Sequence, residues 1–278
     1  MKKTLYVSDM DGTLLGADSQ VSERSRRIIA DLSAQGALIT VATARTPATV
    51  SCLLRGTGIS VPAVVMTGSA LWSPESGYAE VSYMPPADVD AVLSECAVHG
   101  VHPFVYTMGE DGVLDVYHDA VGPLNRAEQA FYDERRNLAL KRFHLHRSLP
   151  DEARARTILL CALGRLEATD AAARALSAGT RCAVQSYPDA IMRETGILEI
   201  FAPGVSKAAA ISRVKQLTGA ERVVAFGDNL NDLPMLAAAD EAVAVANALP
   251  EVRAAAHTVI GPNTADAVAL YIARDFLA

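Results

Sequence analysis

The sequence predicts an α/β fold in which a parallel-sheet core is interrupted by an inserted α+β domain. Short apolar runs alternate with helical patterns in the first part of the chain, the pattern changes near Pro85, and the first pattern returns in the last third. Strands that alternate with helices are typical of a parallel sheet with helices on its faces. We therefore expect core segments at 1–84 and 194–278 and the inserted domain at 85–193.

Composition limits the class of protein. The chain has 278 residues, a formal net charge of −7 and 50% hydrophobic residues, which allows one large or two modest domains. The negative charge argues against nucleic acid as a partner. The 4 cysteines form no CxxC pair, so we expect buried free thiols rather than a disulfide or zinc framework. Asp9 and Asp11 interrupt the apolar region of any signal peptide, and no apolar run approaches the ~20 residues of a membrane span. We expect a soluble, cytoplasmic protein with no membrane partner.

The first part of the chain reads as three strands with helices between them. The predicted strands cover 4–7, 37–42 and 63–66, and a helix capped by Ser22 runs from 23 to about 35. In parallel sheets, ligands bind beyond the carboxyl ends of the strands. Asp9 and Thr43 both follow such ends, so we expect these two residues to lie close together.

The inserted domain carries its own mixture of elements. The predicted elements are a helix over 87–98, a hairpin of strands 102–108 and 113–118, a strand over 157–163, a helix over 170–177 and a strand over 181–187. After the insertion, Ser206 caps a helix that Gly219 ends, and a buried strand over 223–226 follows.

Two carboxylates follow the first strand. Asp9 and Asp11 stand at i and i+2, where side chains on an extended backbone point to the same side. Such a pair at the end of a buried strand is costly unless it is neutralised, and Mg²⁺ prefers carboxylate oxygens. An Asx-turn without metal is the alternative. A calcium loop fails on spacing, since its sixth and twelfth positions, counted from Asp9, hold Leu14 and Gln20.

Polar residues suited to phosphoryl transfer occur at the ends of predicted strands and helices. They are Asp9, Asp11, Thr43, Lys207, Asp228, Asn231 and Asp232. A phosphoryl group requires cations, hydrogen-bond donors for its oxygens and a nucleophile in line with the leaving group. A carboxylate can act as that nucleophile and form an aspartyl-phosphate.

In these residues the sequence resembles the phosphatases of the haloacid dehalogenase (HAD) superfamily, Cof-type subgroup, a HAD-IIB-like sugar-phosphatase family. Four motifs agree in order and spacing: Asp9-Met10-Asp11-Gly12-Thr13, Thr43, Lys207, and Gly227-Asp228-Asn229-Leu230-Asn231-Asp232. The resemblance spans nearly the whole chain. It implies a Rossmann-like core, and it implies that the inserted domain is a cap that selects the leaving group.

The resemblance also implies roles for individual residues. Asp9 would be the nucleophile, and Asp11 would protonate the leaving alcohol and later deprotonate water. The metal ligands would be Asp9 and Asp228 through their carboxylates and Asp11 through its backbone carbonyl.

The remaining motif residues would bind or position the phosphoryl group. Thr43 and Lys207 would hold its oxygens. Asn231 would position Lys207 or the phosphate, and Asp232 would support the metal from outside its ligand set.

Two segments depart from the family pattern. Thr43-Ala44-Arg45 replaces Thr-Gly-Arg, so the methyl group of Ala44 narrows backbone access while Arg45 remains available for an anionic substrate. Residues 68–70, Gly-Ser-Ala, stand where the subgroup has Asn-Gly-Ala. A basic stretch over 135–156 is expected to be a solvated face, with steering of anionic substrates as the alternative.

We therefore expect a Mg²⁺-dependent phosphatase of small phosphorylated metabolites, with sugar phosphates as the first substrate class. A phosphomutase or phosphotransferase of the same superfamily is the alternative among enzymes. A phospho-accepting sensor without turnover is the alternative from another class. The sequence makes no prediction of the oligomeric state.

Overall fold

The computed structural model describes residues 2–189 and 192–278. The chain divides into two compact units. The core unit comprises Met1–Glu80 and Ser206–Ala278, and the inserted unit comprises Val81–Val205.

The strands and helices of the described residues follow in chain order. The strands are β1 (Thr4–Ser8), β2 (Leu38–Val41), β3 (Ala63–Val65), β4 (Ala70–Ser73), β5 (Gly77–Val81), β6 (Phe104–Met108), β7 (Leu114–His118), β8 (Lys141–Leu145), β9 (Thr157–Arg165), β10 (Ala183–Pro188), β11 (Thr195–Phe201), β12 (Arg222–Gly227), β13 (Glu241–Val245) and β14 (Thr258–Ile260). The helices are α1 (Glu23–Ala34), α2 (Pro47–Leu53), α3 (Pro86–Val98), α4 (Arg126–Arg135), α5 (Asp151–Arg154), α6 (Leu166–Gly179), α7 (Lys207–Thr218), α8 (Leu233–Ala237), α9 (Pro250–Ala255) and α10 (Ala267–Phe276).

The core unit is built on a parallel sheet with the strand order β14-β13-β12-β1-β2. Its central strands are buried on both faces, which explains why β1 and β12 are continuous apolar runs rather than alternating ones. Ser8 pairs with Phe226 on one side and with Val41 on the other. These three strands therefore end at the same edge of the sheet. The predicted α/β class with a parallel core sheet is confirmed.

Two helices of the core unit begin with the serine caps expected from the sequence. The Ser22 hydroxyl accepts a hydrogen bond from Ser25 N at 2.9 Å, and the Ser206 hydroxyl accepts one from Ala209 N at 3.1 Å. Each bond satisfies an amide that the first turn of a helix leaves without a partner. The second cap fixes where α7 starts, and Lys207 is its first residue.

The inserted unit is a six-stranded sheet with the order β10-β11-β9-β6-β7-β8. The predicted hairpin is present as β6 and β7, which pair antiparallel. Helices α3 and α6 bury their apolar residues against the sheet residues Leu160, Leu198 and Ile200. Helix α4 and strand β8 were not predicted from the sequence.

The chain returns from the inserted unit to the core unit later than predicted from the sequence, because β11 belongs to the inserted unit. The prediction assigned 194–278 to the core, yet β11 pairs antiparallel with both β9 and β10. Leu198 and Ile200 are fully buried in the core of the inserted unit. The segment 194–205 therefore belongs to the inserted unit, because its apolar face is covered there.

Cys96, Cys161 and Cys182 are buried free thiols, as expected, whereas Cys52 is exposed. Among the described residues, every helix is too short or too polar to cross a bilayer.

A strained turn follows β3. Met66, Thr67 and Gly68 have φ values of 51°, 58° and 102°, in the left-handed region that a β-branched residue such as Thr67 rarely adopts. A Cβ atom on Gly68 would lie 2.3 Å from the carbonyl oxygen of Ser206. Glycine at position 68 therefore allows this turn to pack against the start of α7.

We predict that Gly68→Ala destabilises the core unit much more than Gly77→Ala. Both glycines have positive φ, but a Cβ on Gly77 would meet no atom within 4 Å. Gly77→Ala should cost about 1 kcal/mol from backbone strain alone, and Gly68→Ala about 3 kcal/mol or more because overpacking is added. Urea unfolding measures both values. Equal costs would show that the close approach to Ser206 is unimportant.

Candidate active site

The first site residues lie in the turn that leaves β1. Asp9 N donates to the carbonyl oxygen of Phe226 at 2.9 Å, so the turn begins beside β12. Gly12 has a φ of +78°, and a Cβ there would lie 2.3 Å from Asp228 Oδ2. Thr13 donates its hydroxyl hydrogen to Asp228 Oδ1 at 2.6 Å. The missing side chain of Gly12 thus lets the β1 turn contact the β12 turn directly.

Lys207 joins the β1 and β12 turns. Its Nζ donates to Asp9 Oδ1 at 2.5 Å and to Asp232 Oδ1 at 2.8 Å, and its side chain is only 4% exposed. Although burial by itself lowers the pKa of Lys207, the charges of Asp9 and Asp232 raise it well above its ordinary value. The side chain is therefore a fixed cation at this edge of the sheet.

Asp232, and not Asn231, positions Lys207. Asp232 is fully buried, and its second oxygen accepts hydrogen bonds from the amides of Asp228 and Asn229 at 3.1 and 3.2 Å. Asn231 is exposed. From the sequence, Asn231 was expected to position either Lys207 or the phosphate; the contact with Lys207 is made by Asp232.

Three carboxylates lie close together around Lys207. Single oxygens of Asp9, Asp228 and Asp232 lie within 4.8 Å of one another. Burial raises the pKa of Asp9 to about 7, with a contribution from Asp232, while Lys207 opposes the shift. Burial also raises the pKa of Asp228. Three carboxylates exceed the charge of one ammonium, so this donor set suits a hard divalent cation such as Mg²⁺.

Asp11 faces a different partner. Arg45 Nε and Nη2 donate to its two carboxylate oxygens at 2.7 and 2.6 Å, and these hydrogen bonds raise the pKa of Arg45. The side chain of Asp11 is 54% exposed. Arg45 was expected to be available for an anionic substrate, but in this structure it is engaged with Asp11.

Thr43 lies where β2 ends, as predicted. Its side chain is buried, and its hydroxyl oxygen accepts a hydrogen bond from Arg45 N at 3.1 Å. Its carbonyl oxygen accepts one from Thr67 N at 3.0 Å, so the strained turn after β3 supports this segment. Ala44, between Thr43 and Arg45, is exposed.

Two contacts that shape the β1 turn were not predicted from the sequence. The first is the hydrogen bond from Thr13 to Asp228, although Thr13 is the last residue of the Asp9-Met10-Asp11-Gly12-Thr13 motif. The second is a bond from Asn247 Nδ2 to the carbonyl oxygen of Gly12 at 2.7 Å. Asn247 follows β13 outside any recognised motif, so no sequence signal pointed to it.

We predict that Asp9→Asn stabilises the metal-free protein at neutral and alkaline pH. Because the folded-state pKa of Asp9 is raised to about 7, its charge costs stability as the pH rises through that value. Lys207 keeps Asp232 as its partner in the variant. The gain should be roughly 1–3 kcal/mol at pH 8 and should vanish near pH 4.

Thermal unfolding with EDTA between pH 4 and 8 measures this difference. Asp11→Asn is the control, since Asp11 is half exposed and its removal should give no comparable gain. An Asp9→Asn variant that is less stable than the wild type at pH 8 would contradict the prediction.

Comparison of the sequence with those of known proteins identifies its family. The family model of haloacid dehalogenase-like hydrolases matches residues 6–272. Pyridoxal phosphate phosphatase YbhA of Escherichia coli (strain K12) is 26% identical over 286 residues, with 98% of each chain covered. The 5-amino-6-(5-phospho-D-ribitylamino)uracil phosphatase YitU of Bacillus subtilis (strain 168) is 26% identical over 285 residues, covering 99% of this chain and 98% of its own.

A solved structure agrees on the fold. The HAD subclass IIB sugar phosphatase BT4131 superimposes with a TM-score of 0.74 at 22% identity, covering 99% of this chain and 100% of its own. The family model spans nearly the whole sequence, and both sequence relatives are phosphatases that align over their full lengths. The chain therefore belongs to the haloacid dehalogenase-like hydrolases of the Cof type and is a phosphoric monoester hydrolase.

Proposed function

We propose that this chain is a Mg²⁺-dependent phosphatase that passes the phosphoryl group of a small metabolite to Asp9 and then to water. The observation that carries the proposal is the position of Asp9. Its carboxylate lies at the end of β1, bound to Lys207 at 2.5 Å and close to the carboxylates of Asp228 and Asp232. A nucleophile, a fixed cation and metal-binding oxygens are thus combined at one edge of a parallel sheet, where ligands bind.

The reaction has two steps. In the first, an oxygen of Asp9 attacks phosphorus, an aspartyl-phosphate forms, and the bond to the leaving alcohol breaks while Asp11 donates a proton to that alcohol. In the second, Asp11 takes a proton from water, and the water oxygen attacks phosphorus to release inorganic phosphate and restore Asp9. Splitting the displacement in this way replaces one difficult step by two easier ones.

The metal fits the donor set of the β1 and β12 turns. Asp9 and Asp228 would hold Mg²⁺ through their carboxylates, and Asp11 through its backbone carbonyl. When bound, Mg²⁺ neutralises charge on the phosphoryl oxygens. Lys207 and the Thr43 hydroxyl would bind the other phosphoryl oxygens. Asn231 is exposed and does not contact Lys207, so it would contact the phosphoryl group from the solvent side of the site.

Asp11 must change partner before it can act as an acid. A carboxylate that accepts hydrogen bonds from a guanidinium through both oxygens holds no proton to give. We infer that an anionic substrate draws Arg45 away from Asp11, and that Asp11 then takes up the proton it delivers. Arg45 would in this way bind substrate only after leaving the position it has here.

We propose sugar phosphates as the first substrate class. The fold matches a sugar phosphatase, but the sequence relatives act on pyridoxal phosphate and on a ribitylamino-uracil phosphate. Pyridoxal and flavin-type phosphates are therefore the next classes to test. A screen of phosphorylated metabolites, with release of inorganic phosphate as the readout, ranks these classes by kcat/KM.

We predict that Asp9→Asn lowers kcat by at least about 10³-fold, because an amide cannot accept the phosphoryl group. EDTA should abolish wild-type activity and Mg²⁺ should restore it. Asp228→Asn should raise the Mg²⁺ concentration required by about tenfold or more. Asp240→Asn, which removes a surface carboxylate paired with Lys215, is the control and should change neither value. Wild-type rates in Asp9→Asn would rule out the nucleophile assignment.

We predict that the effect of Asp11→Asn depends on the leaving group. An alkyl phosphate needs a proton on its leaving oxygen, whereas p-nitrophenolate leaves without one. In rapid-mixing single turnovers, alcohol release from a sugar phosphate should slow by about 10²-fold or more. The factor by which Asp11→Asn slows release of p-nitrophenolate should be at least about tenfold smaller than the factor for the sugar phosphate. Equal slowing of both substrates would show that Asp11 does not protonate the leaving group.

A further inference from the structure

The basic stretch over 135–156 divides into two kinds of residue. Most of its arginines form local ion pairs on the surface of the inserted unit: Arg135 with Glu134, Arg136 with Asp133, Arg142 with Asp111 and Asp115, Arg154 with Asp90 and Asp151, and Arg156 with Glu110. This agrees with the solvated face that the sequence predicted. Lys141 differs from these arginines, because it is buried.

Lys141 lies in an apolar, aromatic environment. It is the first residue of β8 and is only 6% exposed. Its Nζ lies 5.1 Å from the centre of the Tyr106 ring and 5.9 Å from that of the Phe143 ring. Tyr132 packs edge-on against Phe143 at 5.2 Å and extends the aromatic wall.

The ammonium of Lys141 has no counter-ion in the described parts of the chain. The charged and titratable groups that act on it are Arg135 and Cys161, and no carboxylate is among them. Burial, followed by the charge of Arg135, lowers the pKa of Lys141 to about 7. Glu199, which affects neighbouring Tyr106 and Cys161, accepts a hydrogen bond from Tyr187 at 2.9 Å.

This arrangement is costly as it stands. A buried ammonium without a paired charge loses hydration, and contacts with aromatic rings return only part of that loss. The side chain is nevertheless not completely enclosed, since 6% of the residue remains exposed. An anion that entered there would supply the missing charge.

We propose that Lys141, Tyr106 and Phe143 form a binding site on the inserted unit for the oxyanion of a small organic molecule, either a carboxylate or a phosphate ester. The ammonium makes a charge-assisted hydrogen bond to the oxyanion. The aromatic rings contact the carbon skeleton, which a hydrated inorganic anion lacks. Arg135 adds positive charge near the same position.

Calorimetric titration of the full chain tests this site. Benzoate and benzylphosphonate are the probes, and benzamide is the neutral control of the same shape as benzoate. We expect benzoate or benzylphosphonate to bind the wild type, and benzamide to bind at least about tenfold more weakly than benzoate. The tighter of the two probes distinguishes a carboxylate ligand from a phosphate ester. In protein with ¹³C-labelled lysine, the Lys141 signal should shift with the bound probe.

Substitutions locate the binding energy. Lys141→Met should weaken probe binding by at least about tenfold, whereas Lys141→Arg keeps the charge and should stay within about threefold. Lys215→Met is the matched control, since Lys215 pairs with Asp240 on the surface of the core unit, and it should leave binding unchanged. The readout is binding and not hydrolysis, so the result does not depend on the proposed phosphatase activity.

Thermal unfolding separates ligand binding from a structural role. Methionine fills the volume of lysine without a buried charge, so Lys141→Met should unfold at the same or a higher temperature than the wild type. A lower unfolding temperature in Lys141→Met, together with lost binding in Lys141→Arg, would assign the lysine to structure and overturn the proposal. The same conclusion follows if neither probe binds the wild type, or if Lys141→Met binds as tightly.

Discussion

The candidate site depends on the contact of one buried ammonium with two carboxylates. Lys207 begins α7, Asp9 ends β1, and Asp232 lies in the turn after β12, so a single side chain joins three segments that are distant in sequence. An unpaired charge in this position would be strongly unfavourable, which makes the three segments mutually dependent. Asp228 adds a further carboxylate, and the resulting excess of negative charge suits a divalent cation. Such a cation can in turn stabilise the negative charge of a phosphoryl group.

Close backbone approach makes this contact possible. Gly12 allows the β1 turn to reach Asp228, and Gly68 allows the turn after β3 to reach the carbonyl oxygen of Ser206. Added Cβ atoms would lie 2.3 Å from their nearest neighbours in both places. The strained backbone at Thr67 is held by a hydrogen bond to Thr43. Such strain persists only where the surrounding structure determines it, and here the surroundings are the proposed phosphoryl-binding segments.

The two units differ in how their positively charged side chains are paired. In the core unit, buried Lys207 is matched by carboxylates at hydrogen-bonding distance. In the inserted unit, exposed arginines such as Arg142 are matched locally, while buried Lys141 is matched by none of the described residues. Surface ion pairs such as those of Arg142 contribute little to stability because water screens them. A buried cation without a counter-ion has a much larger electrostatic effect on stability. This distinguishes Lys141 from the arginines of the basic stretch over 135–156.

The sequence by itself determined the parallel core, the caps at Ser22 and Ser206, and the positions of Asp9 and Thr43 after strand ends, because apolar runs and strand ends follow from local pattern and from the geometry of parallel sheets. Lys207 was assigned by the resemblance of its motif and not by this geometry. Local pattern does not determine which of two adjacent side chains in a turn points inward, or which sheet an apolar strand joins.

Only the tertiary structure therefore decided that Asp232 rather than Asn231 contacts Lys207, that Arg45 pairs with Asp11, and that β11 belongs to the inserted unit. The same holds for Lys141, whose burial arises from packing against the rings of Tyr106 and Phe143. In each case the deciding contact joins residues that are distant along the chain or depends on burial, and both arise only when the sheets assemble.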